Sequence, residues 1–469
     1  MATEYDLLVV GSGPGGQAAA ITAAKLGRRV ALIERKPYLG GVSLQIGTIP
    51  SKALREAAFL VSRFAAKGMR EALYRQADLS ADFLGEAIQR KDAIIDNKES
   101  VLLGELLRHG VTIVPGEASF EDPHTLQVKT RAGNRERLRG EVIVLAAGSR
   151  PRRPADVPFD KERVLDSTSI LHMRRLPGTL LVVGGGVIAC EFATMFAPLG
   201  VRVTLIDHHE QPLAYLDQDI AGRLVDHMGD MGLALHMRTR VERIERRGDR
   251  VHVQADHGAE FEADCLLYAL GREPNYAPLA IERAGLVADD NGWVRLNEQH
   301  QTPVSHIYII GDLAGAPALA STAMEQGRRV ARHALGLEPQ VSSAPLPMAI
   351  YTIPELSYVG ETERQLEERH ANYVVGRAEY AATARGQIIG DHRGMLKLLA
   401  ERTSGRLLGV HIIGESASEL VHVGQLIMGG GGDVFQLAAN VFNYPTLAEC
   451  YQSAAQACID ELDAPSPGG

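Results

Sequence analysis

The strongest constraint on this chain is that it contains one thirty-residue unit twice. Residues 6–35, DLLVVGSGPGGQAAAITAAKLGRRVALIER, align without a gap to residues 179–208, TLLVVGGGVIACEFATMFAPLGVRVTLIDH, and 14 of the 30 positions are identical. Each copy reads as a short apolar strand, a glycine-rich turn, a helix that stops at Leu-Gly, and a second β-branched strand that ends in an acid. That pattern is the βαβ opening of a dinucleotide-binding fold, so the chain carries two such folds. The repeat distance of 173 residues is far beyond the roughly 20–50 residues of a solenoid period.

The turns carry the chemistry. Gly11, Gly13 and Gly16 fit G-x-G-x-x-G directly after a strand and before a helix. The first glycine permits the tight turn, the second lets backbone approach a pyrophosphate, and the third lets helix and strand pack closely. The helix N-terminus then faces the phosphates. Glu34, 23 residues after Gly11, is placed to accept hydrogen bonds from a ribose diol, and Arg35 follows it. The second unit has Gly184, Gly186 and then Ala189, which slightly widens the turn, with Asp207 again 23 residues after the first glycine. Asp207 favours the free 2′-hydroxyl of NAD and repels the 2′-phosphate of NADP. His208 and His209 follow at once and either donate to a phosphate or simply face solvent. Two nucleotide units in one chain suggest two nucleotides and electron transfer between them; a duplication that retains one inactive site is the plainer alternative.

Composition narrows the partners. The chain has 469 residues, a formal charge of −9 and no long basic run, so it lacks the electrostatic footprint of a nucleic-acid binder. No stretch reaches the ~18 apolar residues of a membrane span, and the acidic start Met1-Ala2-Thr3-Glu4 is unlike a signal peptide. Four cysteines, at 190, 265, 450 and 458, show no paired spacing for disulfides or a metal. No metal site is expected, and a reducing cytoplasmic setting is.

At roughly 100–200 residues per domain the length predicts about three domains. The helical stretch 52–108 follows the first unit, and strand-like segments lead to VIVLAAGSRP at 142–151. Pro151, Pro154 and Pro158 mark a connector. HIYIIGD at 306–312 reads as a strand and turn before an Ala-rich helix, and VSSAPLP at 341–347 as a linker. GMLKLLAE and GRLLGVHIIG then read as antiparallel strands, Gly429 to Gly432 as a loop, and the tail DAPSPGG as disordered.

The order GSGPGG, GGVSLQIGTIPSK at 40–52, AAGS, GGGVIACE, YALGREPN at 268–275, IIGD and FNYPTLAE at 442–449 resembles the flavoprotein disulfide reductases. The resemblance spans nearly the whole chain. It implies an α/β fold with two Rossmann-like domains, for FAD and for NAD(P), plus a C-terminal α+β dimerisation domain. The boundaries are 1–152 for the first part of the FAD domain, 153–274 for the NAD(P) domain, 275–340 for the second part of the FAD domain and 341–469 for the dimerisation domain. It also implies that Gly11, Gly13, Gly16, Glu34, Arg35, Gly40, Gly41, Ser43, Thr48, Gly148, Asp312 and Ala320 line the FAD site. Gly184, Gly186, Val187, Ala189, Glu191, Asp207, His208 and Gly271 would line the NAD(P) site. Lys52 would lie beside the flavin, paired with Glu191 near the nicotinamide. A cation near the ring stabilises reduced, anionic flavin, and a paired carboxylate keeps that cation fixed. Apart from the resemblance, Lys52 and Glu191 read as a helix-face lysine and a solvent carboxylate.

The departures say more than the matches. The family's two redox cysteines stand where this chain has Ser43 and Thr48, and neither hydroxyl can form a disulfide. The family's acid/base His is Tyr444 here, a phenol and a poor base at neutral pH; its orienting Glu remains as Glu449. With the thiol relay gone, electrons on the flavin must leave another way. The soluble pyridine nucleotide transhydrogenases, a group within the family, look similar around GTIPSKALR, YTIPE and FNYPT. Members carry a Cys where Ser43 stands, but a single Cys cannot complete the disulfide either. The expectation is therefore hydride transfer from NADPH to flavin N5 and on to NAD at one shared pocket, by ping-pong kinetics, in a homodimer or larger homo-oligomer. Val187 in place of a gating aromatic would leave that pocket open, though it equally reads as helix packing. The alternatives are an NAD(P)H:quinone reductase or diaphorase, a disulfide or metal-ion reductase using one of the four cysteines, and a non-catalytic sensor.

Overall fold

The computed structural model describes residues 2–66, 82–338 and 344–464. Parts of the 52–108 stretch and of the 341–347 linker, and the tail from residue 465, lie outside the described residues. The chain forms two compact units. The first comprises Met1–Leu54, Gly85–Arg152 and Gly271–Val341, and the second Arg55–Leu84, Arg153–Leu270 and Ser342–Gly469.

In the first unit, strands Thr112–Pro115, Val30–Glu34, Thr3–Val10 and Arg135–Leu145 lie side by side in parallel. The last is long enough to serve two neighbours on one edge. Its start pairs antiparallel with Thr125–Lys129, and its end pairs parallel with Ile307–Ile309. Glu117–Asp122 completes the seven strands. The apolar runs read from the sequence are continuous because the sheet is covered on both faces. Leu8, Val10, Ile33, Ile143 and Leu145 pack on one side, and Leu7, Val9, Leu32 and Val144 on the other, the period-two alternation of a strand. Helix Pro14–Lys25 lies against helix Ala320–Ala334. A Cβ on Gly327 would stand 2.2 Å from the Gly15 carbonyl oxygen, so the approach requires glycine.

The second unit repeats the parallel design, in the order Ala234–His236, Arg202–Ile206, Thr179–Val183, Cys265–Tyr268 and Val164–Leu165. A three-stranded antiparallel sheet spans Val241–Ala263. A second five-stranded sheet, all antiparallel, runs Met348–Ile350, Leu356–Gly360, Leu407–Ile413, Met395–Glu401 and Tyr373–Glu379. The segments GMLKLLAE and GRLLGVHIIG are thus antiparallel neighbours, as expected, and both are buried along nearly their whole length. Helix Glu449–Asp463 buries Tyr451, Ala454, Ala455 and Cys458 against this sheet.

A charged core ties helix Gln218–Asp230 to the five-stranded antiparallel sheet of this unit. Lys397, 1% exposed, donates to Asp217 at 2.7 Å, to Asp219 at 2.8 Å and to Glu363. Around it, Arg377 donates to Asp219, and helix Gln218–Asp230 adds the ion pairs Arg223–Glu379 and Arg393–Asp230, each at 2.5 Å. Among the described residues no helix is long and apolar enough to cross a membrane.

Candidate active site

The first glycine-rich turn is shaped by backbone crowding. Gly11 has φ +105, and a Cβ there would stand 2.4 Å from the Ala146 oxygen; on Gly16 it would stand 1.9 Å from the Gly11 oxygen. A Cβ on Gly13 meets nothing within 4 Å. The middle glycine therefore faces open space, whereas its two companions are demanded by the fold itself. Gly13 is also the N-cap of helix Pro14–Lys25, with no side chain capping it, so the first helical N–H groups are free to meet an anion.

A second glycine pair backs this turn. Gly40 and Gly41 both have positive φ, and a Cβ on Gly41 would stand 2.7 Å from the Gly13 Cα. The two loops are tied through Ser12, which the sequence reading overlooked. Ser12 donates its N–H and its hydroxyl to Glu34 Oε2, at 3.0 and 2.6 Å, and its Oγ accepts from the Gly40 N–H at 3.0 Å. Glu34 Oε1 accepts from the Lys36 N–H. The carboxylate is 7% exposed at the end of its strand, and it organises the loop. Arg35 is half exposed and 3.8 Å from Glu117. Ser43 lies in the short helix Gly41–Gln45, and Thr48 opens helix Thr48–Ala66, which carries Lys52 one turn later.

At the same carboxyl edge of this sheet, beyond strand Ile307–Ile309, Asp312 follows Gly311, whose φ is +67. Asp312 Oδ2 accepts from Ser149 Oγ at 2.6 Å and is 3.8 Å from Arg272 Nε; Arg272 in turn donates to Ser149 Oγ and to its carbonyl. Gly148 has φ +68 with open space around it. Ala320 begins its helix after Leu319, an N-cap with no side-chain bond. Ser149 and Arg272 were also missed, although Arg272 lies inside the YALGREPN motif.

The second turn repeats the geometry. Gly184 has φ +121 and would place a Cβ 2.8 Å from the Ala269 oxygen, whereas Gly186 meets nothing within 4 Å and caps helix Val187–Phe196 without a side-chain bond. Val187 is half-buried at the first helical position and Ala189 is fully buried. Gly271, with φ +97 and open surroundings, belongs to the first unit. Asp207 differs from its counterpart Glu34. It is 4% exposed, with its Cγ 3.0 Å from where a Gly185 Cβ would sit, and its Oδ1 accepts from the His209 N–H at 2.7 Å and meets His209 Nδ1 at 2.6 Å. His208 Nδ1 is 3.6 Å away. The shorter Asp is drawn in under the glycine loop and held by His209, so the two exposed imidazoles, not the carboxylate, form the rim. Asp207, His208 and His209 could together offer three donor atoms to a cation; the similar group Asp217, Asp219 and Glu363 is filled by the Lys397 ammonium.

Glu191, 6% exposed on helix Val187–Phe196, accepts from the Tyr351 N–H at 2.9 Å. Tyr444 is 75% exposed, and Glu449 Oε2 accepts from the Thr446 N–H at the start of its own helix. All four cysteines are buried and free. Burial pushes the Cys450 and Cys458 thiols up to about 12 and Cys265 to about 11, and raises Cys190 further. The thiolate is the reactive form, so these side chains are core packing and not a redox relay.

The chain matches the family model described as pyridine nucleotide-disulphide oxidoreductase over residues 5–327, and that family's dimerisation domain over residues 346–455. It is 43% identical over 466 residues to a soluble pyridine nucleotide transhydrogenase of Mycobacterium bovis, covering 98% of both chains. It is 41% identical to another of that name from an Enterobacter species, over 98% of this chain and 99% of the relative. Among solved structures, the HOCl-induced flavoprotein disulfide reductase RclA from Escherichia coli aligns with a TM-score of 0.86 at 29% identity, over 96% of this chain and 99% of that one. LpdA from Mycobacterium tuberculosis aligns with a TM-score of 0.87 at 26% identity, over 97% and 99%.

Proposed function

The chain belongs to the pyridine nucleotide-disulphide oxidoreductase family, and from that premise we propose that it is a soluble, FAD-dependent transhydrogenase that moves a hydride from NADPH to NAD by a ping-pong route. The family is FAD-dependent and uses NAD(P). The observation that carries the reading is a pair of glycine cradles with every cysteine buried outside them, taken with the resemblance, which sets Ser43 and Thr48 at the family's dithiol positions. The disulfide-reductase alternative loses its chemistry, since neither hydroxyl can cycle and the raised, buried thiols cannot replace them.

The first cradle fits a dinucleotide: the gap at Gly13, the uncapped helix beyond it and the Glu34 carboxylate supply space, donors and an acceptor where a pyrophosphate and a ribose need them. Gly11, Gly16, Gly40 and Gly41 keep that space clear, Arg35 lies at its edge, and Gly148, Asp312 and Ala320 serve the other end of the cofactor. FAD, when bound, would supply the two-electron hydride chemistry between nicotinamide nucleotides. Lys52 offers the positive charge that favours the reduced state, and Glu191 serves the nicotinamide. Gly184, Gly186 and Ala189 hold the nicotinamide nucleotide's pyrophosphate, and His208 and His209 meet its adenosine ribose. Val187 leaves room for one nucleotide to depart and the next to enter. Tyr444 and Glu449 have no base to supply in this reaction.

The dimerisation-domain match points to a homo-oligomer; we take it to be a homodimer or larger, in the cytoplasm. The test is purified protein given NADPH with thio-NAD or with a panel of quinones. Thio-NADH formation with parallel double-reciprocal plots is expected. Quinone turnover without thio-NADH would replace this reading with a quinone reductase, and intersecting plots would remove the shared site.

A further inference from the structure

The connection between strands Met348–Ile350 and Leu356–Gly360 is a hairpin loop, residues 351–355, and it is unusual in being buried: Thr352 is 0% and Ile353 4% exposed. Backbone groups out of water need partners, and a loop has no ladder to supply them. Here they come from side chains on two helices. The Tyr351 N–H donates to Glu191 Oε1 at 2.9 Å, and the Ile353 N–H donates to Thr194 Oγ1 at 3.1 Å, both on helix Val187–Phe196. The Thr352 carbonyl accepts from Arg55 through Nε at 3.4 Å and Nη2 at 3.2 Å. Arg55 also pairs with Glu355 at 3.2 Å, at the end of the same loop, and its guanidinium lies 4.5 Å from the Phe59 ring centre. Glu355 in turn accepts from the Ser418 N–H and hydroxyl. Arg55 is 4% exposed and lies three residues after Lys52 on the same helix.

We propose that Arg55 is a positioning residue for Glu191, clamping the 351–355 loop at both ends so that the Tyr351 amide holds the Glu191 carboxylate in one place. The inference rests on the reading that Glu191 serves hydride transfer. A planar guanidinium suits this role because its fork spans a carbonyl and a carboxylate at once, with fixed angles between the donors. Removing it leaves the buried Thr352 oxygen without its donor and Glu355 with Ser418 alone, and the loop relaxes to find water. The Tyr351 amide then no longer holds Glu191 in one place.

The experiment is a double-mutant cycle between R55M and E191Q, read as the anaerobic rate of flavin bleaching by NADPH, which does not depend on the final acceptor. Hydrogen exchange of the 349–355 peptide, in protein with and without flavin, gives a second readout. R55M is expected to slow bleaching about tenfold with NADPH affinity unchanged, to raise exchange in that peptide, and to add nothing further in the E191Q background. R55K keeps the charge but not the fork and is expected to fall between; it also serves if R55M does not fold. R63A removes another pair of the same helix, with Glu415 at 3.5 Å, and is expected to change neither readout. Faster exchange with an unchanged bleaching rate makes Arg55 merely structural and overturns the proposal, and so does a full R55M loss in the E191Q background. If E191Q alone bleaches at the native rate, the role assigned to Glu191 falls with it, while the thio-NAD assay still decides the transhydrogenase reading separately.

Discussion

Lys397→Met isolates the charged core of the second unit. The ammonium is 1% exposed and faces three carboxylates, of which Asp217 is 0% exposed at its side chain, Glu363 26% and Asp219 37%. Methionine nearly matches lysine in volume, so the substitution removes charge with little cavity. Taking away one partner of a buried ion pair costs about 3–5 kcal/mol. Arg377 still holds Asp219 at 2.8 Å, which sets the expectation near the middle, about 4 kcal/mol, or roughly 10 °C in the melting of this unit at about 2–4 °C per kcal/mol. Acid supplies the signature. Burial works against the charged Asp219, yet its bonds to Lys397 and Arg377 outweigh that and hold its carboxyl below the usual range. Its stabilising share is therefore present above the ordinary carboxylate range and is lost as pH falls through the depressed value. Burial likewise opposes the charged Lys397, and the three carboxylates outweigh it and hold the amine above its usual range. Its share is present at all pH below the ordinary lysine range and is lost as pH rises through the raised value. In the variant Asp219 keeps Arg377 but loses the ammonium that helped depress it, so the deficit against the native protein should shrink as pH falls through the ordinary carboxylate range. Melting by far-UV circular dichroism measures this, and the single tryptophan, Trp293, reports the first unit as an internal reference. A deficit under about 1 kcal/mol, or one that does not change with pH, would refute the reasoning.

The glycine cradles allow a sharper separation of folding from binding. Gly13→Ala and Gly186→Ala meet no protein atom within 4 Å and keep negative φ, so melting temperatures should hold. The first should lose bound FAD, seen in the visible spectrum, and the second should raise the KM of nicotinamide nucleotides about tenfold; Gly16→Ala, 1.9 Å from the Gly11 oxygen, should fail to fold properly. Replacing Cys450 and Cys458 by Ala should leave hydride transfer within about twofold and cost stability instead, and the native protein should resist thiol reagents at neutral pH; rapid labelling of either residue would contradict the burial. Replacing His208 and His209 by Ala should raise the NADPH KM about five- to tenfold with NADH unaffected, because the imidazoles form the exposed rim at Asp207. Equal losses for both nucleotides in steady-state assays would sink that assignment.

Much of this protein was legible before any coordinates. The duplicated unit, the two glycine turns, their helices and the acids that end the second strands are local signals: they depend on backbone angles and side-chain period over about thirty residues. Ser43, Thr48 and Tyr444 were equally readable, since the absence of a thiol or an imidazole needs no tertiary structure to be chemical. What the fold alone decided is how polar groups hundreds of residues apart are satisfied. Asp207 and Glu34 occupy the same register, yet one is held by His209 beneath its loop and the other by Ser12. Lys397 and Arg55 carry no mark in the sequence that sets them apart, yet they are the centres of buried networks reaching 180 and 297 residues along the chain. A buried charge or loop amide must find its partner wherever the topology brings one, and no period or spacing in the sequence encodes which partner that is.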